Sequence, residues 1–119
     1  MSKWFCFEKE ISPAVKILAF DAGYLLAKNN KGLVARAIPV AEGILKAIEN
    51  GSTNEAMNNV FKQTVLTLVG ELDDPMTQAN VLAVLQMVKF DPRLPEAKLT
   101  NDQIRALVES FMAGVTAVK

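Results

Sequence analysis

At four points in 119 residues, a side chain able to cap a helix stands directly before a proline or three residues before Glu or Gln and opens a run with helical periodicity. The pairs are Ser12-Pro13, Ser52 with Glu55, Asp74-Pro75 and Thr100 with Gln103. A capping oxygen accepts from one of the amide N–H groups a helix start leaves without a partner, and proline at the first helical position has no N–H to satisfy. A Glu or Gln three residues on reaches back to the N–H of the cap itself. Punctuation of this kind, repeated along the chain, restricts it to a series of separate helices.

The stop signals agree. Lys28-Asn29-Asn30-Lys31-Gly32 places cations at the negative end of a first helix over 13–28, with Gly32 free to turn. Gly51 closes a second, over 33–50. Its apolar stripe is Ala37, Ala41, Ile44, Leu45 and Ile48, and Glu42 and Lys46 pair on the other side. Pro39 either kinks this helix or splits it after Ile38.

From the Ser52–Glu55 box, a third helix shows Met57, Phe61, Val65, Leu68 and Leu72 at helical spacing, with Asn58, Asn59, Lys62 and Gln63 facing elsewhere. The fourth runs over 75–90 and holds Val81-Leu82-Ala83-Val84-Leu85. The connector Asp91-Pro92-Arg93-Leu94-Pro95 cannot be helical throughout. A fifth helix follows the Thr100–Gln103 box, with Leu99 and Ile104 as a hydrophobic staple. Its stripe is Ile104, Leu107, Val108, Phe111 and Val115. The expected fold is all-α: a compact bundle of about five helices, one domain over 12–119, with short loops joining antiparallel neighbours.

The first helix is apolar nearly all round, interrupted only by Lys16, Asp21 and the Tyr24 hydroxyl, which marks it as central. Ala19, Gly23 and Ala27 fall at four-residue spacing and form a small-residue ridge that lets another backbone approach closely. Ahead of the helices, residues 1–11 read as a short extended aromatic arm. Trp4, Phe5 and Phe7 flank Cys6 and supply three of the chain's eight aromatic residues. Such an arm packs on its own bundle, on a second copy or at a membrane interface. Glu8 and Glu10 oppose the last of these.

Composition narrows function. Lys plus Arg equals Asp plus Glu at 13 each, so no net field draws the chain to nucleic acid or anionic lipid. Without histidine, and with one cysteine, the chain lacks the usual acid/base side chain and any Cys/His zinc set. Cys6 reads as a small buried hydrophobe, and a lone cysteine suits a cytoplasmic protein. The longest apolar stretch, 14–27, is broken by Lys16 and Asp21 and is shorter than the roughly 20 residues of a membrane span. No apolar signal-peptide core follows the start.

The remaining clusters each have a plain structural account. Lys28, Lys31 and Arg36 read as a solvated helix end. A helix-turn-helix made of helices two and three would open its reading helix without Arg or Lys until Lys62. Glu71, Asp73 and Asp74 are explained by helix capping. Asp21 has no second catalytic group to act with. Met57, Met76, Met87 and Met112 suit either core filling or an apolar ligand cavity.

The functional expectation is a non-enzymatic interaction module without cofactor or metal. It binds a protein partner or itself, as a homo-oligomer, through Trp4, Phe5, Phe7 and the ridge Ala19, Gly23 and Ala27. The alternative is a binder of a small apolar ligand or lipid within the bundle.

Overall fold

The computed structural model describes residues 11–118, and within them the chain forms five helices and no strand. They are α1 (Pro13–Asn29), α2 (Lys31–Glu49), α3 (Asn54–Glu71), α4 (Pro75–Met87) and α5 (Asn101–Ala117). The expected all-α bundle is therefore what forms. The aromatic arm expected at Trp4, Phe5 and Phe7 lies outside the described residues.

Three of the four start signals act as read. Ser12 accepts from the Val15 amide and Asp74 from that of Thr77. Thr100 and Gln103 complete both halves of a capping box, with Leu99 and Ile104 buried beneath it. The fourth shifts by one residue. Thr53, not Ser52, caps α3 by accepting from the Ala56 amide at 3.1 Å. Ser52 is engaged elsewhere: its amide donates to Ala47 O and closes α2, and its carbonyl accepts from the Asn101 side chain at 2.8 Å.

The break between α1 and α2 is also tighter than expected. Gly32 does not turn the chain, because it already lies inside α2. Asn30 alone does so. Its amide donates to Leu26 O, ending α1, while its side-chain oxygen accepts from the Leu33 amide, starting α2. Asparagine can do both because a short polar side chain reaches its own backbone. Pro39 neither splits α2 nor ends it. It cannot donate to the Ala35 carbonyl, but both residues are exposed, so water reaches the freed oxygen.

Helix α4 ends at Met87, three residues short of expectation. Lys89 adopts a left-handed φ of 54°, the Phe90 amide donates to Leu85 O and the Lys89 amide to Gln86 O. This is the helix-ending motif that glycine normally supplies, as Gly51 does after α2 with φ 87°. What holds Lys89 there is Phe90. Its ring is 3% exposed and lies 5.6 Å from that of Phe61. Burying an aromatic ring outweighs the roughly 1–2 kcal/mol a left-handed lysine costs.

Helix α1 is central, as its all-round apolarity predicts, and packs most extensively against α5 and next against α4. Ala19, Gly23 and Ala27 are all buried within the chain. At Gly23 a Cβ would strike the Phe111 carbonyl oxygen, and at Gly114 it would strike that of Phe20. The two glycines thus let α1 and α5 cross backbone against backbone.

Helix α3 is held differently. Asn58 is 5% exposed, contrary to its expected outward placing. Its side chain accepts from the Leu99 amide at 2.8 Å and donates to the Leu99 carbonyl at 2.6 Å. Asn54 accepts from the Asn101 amide, and Lys62 donates to the carbonyls of Leu94 and Pro95. The connector and the start of α5 are thereby pinned to the N-terminal half of α3.

A candidate apolar ligand cavity

Between the two ends of α3 the helices stand apart. A cavity of about 460 Å³ lies there, within the roughly 300–1,000 Å³ of small-molecule sites. All five helices contribute to its wall. Its floor is buried: Ala19 and Ala22 of α1, Ala41 and Ile44 of α2, Phe61 and Val65 of α3, Val81, Val84 and Leu85 of α4, Leu107 and Val108 of α5. The exposed members Arg36, Val40, Gln63 and Thr67 mark a mouth between α2 and α3.

The origin of the space is visible in the residues. Ala37 and Ala41 occupy positions on the inner stripe of α2 where larger apolar side chains would close the gap, and Ala19 and Ala22 face them from α1. The wall is kept from collapsing inward where the N-terminal half of α3 is fixed. Asn54, Asn58 and Lys62 hold one half. At the other end Glu71 meets Arg36 of α2 at 2.8 Å across the mouth.

The polar groups at the mouth are few. Arg36 and Glu71 neutralise one another. The Thr64 hydroxyl donates to the Val60 carbonyl of its own helix at 2.8 Å. Gln63 and Thr67, one helical turn apart, complete the rim. Such a site can hold an apolar body by burial and dispersion.

The other residues singled out from sequence are placed as follows. Asp21 is exposed, beside Tyr24 and Leu25 of α1 and Met76, Ala79 and Asn80 of α4, where a second and shallower depression lies. The basic run is divided among separate tasks: Lys28 lies 6.0 Å from the centre of the Tyr24 ring, and Arg36 belongs to the cavity mouth. The acidic run is likewise divided, Glu71 pairing with Arg36 and Asp74 capping α4. Among the described residues no three acidic or cysteine side chains converge as a metal site would require, and no helix is long and apolar enough to cross a membrane.

Among the described residues no methionine lines the cavity: Met57 is buried elsewhere, while Met76 and Met87 are exposed. The sequence signal that marks the cavity is alanine on inward-facing stripes. Arg36 and Glu71, separated by 35 positions (71 − 36), gave no sign of pairing.

Compared with known protein families, with curated proteins and with solved structures, the chain finds no match.

Proposed function

We propose that this protein binds a small apolar molecule inside its helical bundle, without chemical transformation of it. The observation that carries the reading is the cavity of about 460 Å³, walled by alanine and branched or aromatic side chains from all five helices. A cavity of roughly 150 Å³ accepts benzene. About three times that volume suits a fused-ring hydrocarbon, a terpenoid or a folded alkyl chain. The bound molecule gains the dispersion contacts that facing alanines do not make with each other.

The test is uptake of a neutral apolar fluorophore, N-phenyl-1-naphthylamine, by the purified chain. Saturable enhancement of its emission, abolished by Ala41→Leu, supports the reading. Absence of saturable uptake, or uptake that Ala41→Leu leaves unchanged, defeats it. Native mass spectrometry of freshly purified protein adds the identity of any molecule that co-purifies.

Self-association is a second reading, favoured by the outer side of α1. Ile17 is 61% exposed although α1 is the central helix, and Met76, at 66%, borders the depression that Tyr24 and Leu25 line. This reading is carried by the exposed Ile17 and Met76 rather than by Ala19, Gly23 and Ala27, which are buried within the chain. Sedimentation of wild type against Ile17→Glu decides: a monomer in both rejects it.

A further inference from the structure

We infer that the molecule held in the cavity is uncharged and carries a single hydrogen-bonding head, a hydroxyl or a carbonyl, rather than a carboxylate or phosphate. This rests on the cavity reading above and specifies its ligand. Among the described residues lining the site, Arg36 is the one cation, and Glu71 already occupies it at 2.8 Å. An anionic head brought to this mouth has two options. It displaces Glu71, leaving that carboxylate beside it without its partner, or it stays next to Glu71 and meets like-charge repulsion. A cationic head meets Arg36 beside Glu71 at the same mouth and fares no better.

A neutral head avoids both. Gln63 and Thr67 lie at i and i+4 on α3, both exposed at the rim and both lining the cavity. The Gln63 amide donates and accepts, and the Thr67 hydroxyl does the same. Together they match an alcohol or a carbonyl whose apolar body fills the alanine-lined interior. Thr64, between them in sequence, is committed to the Val60 carbonyl.

The experiment displaces N-phenyl-1-naphthylamine from the full chain with three molecules of equal chain length: 1-decanol, decanoate and decane. Decanol is expected to displace the fluorophore at a concentration roughly tenfold or more below that of decanoate at pH 7. Glu71→Gln frees Arg36 and is expected to improve decanoate about fivefold while leaving decanol unchanged. Gln63→Ala with Thr67→Val is expected to weaken decanol toward decane, roughly fivefold, without weakening decane itself.

Equal displacement by decanol and decanoate in the wild type overturns the inference and leaves the cavity reading intact. So does a Glu71→Gln variant that binds decanoate no better, or a rim variant that binds decanol as well as before. Failure of the fluorophore to bind at all overturns the cavity reading instead.

Discussion

Small side chains do opposite things in two regions of this molecule. At the crossing of α1 and α5, Gly23 and Gly114 bring the backbones together until neither position has room for a methyl group. Beneath the seam of α2 and α3, Ala19 and Ala22 of α1 with Ala37 and Ala41 of α2 leave about 460 Å³ between the helices. The difference lies in what else holds each pair. Helices α1 and α5 have apolar faces free to close on one another, so removing side-chain volume shortens their separation. Helix α3 is pinned over its N-terminal half by Asn54, Asn58 and Lys62. Removing volume beneath a helix that cannot descend creates space.

The largest effect should come from breaking the close crossing. Gly114→Ala or Gly23→Ala places a methyl group against a carbonyl oxygen of the facing backbone, which no side-chain rotation relieves. A loss of about 3 kcal/mol is expected, at the upper end of overpacking costs, measured by urea unfolding. The two substitutions together should cost less than their sum, because once the helices have moved apart the second methyl group finds room. Strict additivity would show that the two glycines do not share one contact.

Releasing the clamp on α3 comes next. Asn58→Ala leaves the buried amide and carbonyl of Leu99 without partners. A loss of about 2 kcal/mol is expected in the same assay. Faster amide exchange should follow across 88–100, with the α1–α5 crossing unaffected. Equal acceleration in α1 would mean the two regions unfold as one unit.

Filling the seam should act with the opposite sign. Ala41→Leu adds apolar volume to the cavity floor and is expected to raise stability by about 1 kcal/mol while abolishing fluorophore uptake. A methyl group added at Gly23 destabilises and three carbons added at Ala41 stabilise. That contrast separates a packed contact from an open one. A destabilised Ala41→Leu would show that the seam has no room.

The smallest effect concerns pH. Hydrogen bonds from the Thr77 hydroxyl and then the Thr77 amide hold the Asp74 carboxyl below its ordinary value of 3.8. Its contribution is therefore fully present above that value and is lost as pH falls through the lower value of the folded state. Helix α4 should fray first at its N-terminus in acid, visible as amide exchange at Met76 and Thr77. Asp74→Asn should remove that dependence, since its side chain caps without titrating.

Much of this architecture was legible from local chemistry. Ser12, Asp74 and Thr100 start helices because the signal and the structure it makes lie within one turn. Gly51 ends α2 for the same reason. The misreadings occur where a residue was recruited from afar. Ser52 looked like a cap until Asn101, 49 positions later, took its carbonyl. Asn58 looked solvent-facing until Leu99 supplied a backbone pair to satisfy it. Lys89 gave no stop signal because the force that ends α4 is burial of Phe90 against Phe61. Of the candidate site, the alanines were visible as small residues on apolar stripes, but the space between them was not. That space depends on the long-range hydrogen bonds of Asn54, Asn58 and Lys62, which local periodicity does not encode.

The sequence by itself determined the number of helices, their order, most of their ends, and the central place of α1. Each follows from interactions spanning a few residues or from a helix's own apolar circumference. Only the tertiary structure decided which small residues pack and which enclose a cavity. Gly23 and Ala41 both present almost no side chain, and a void or a contact is a property of the distance between two backbones. That distance is set by what the helices hold at their ends.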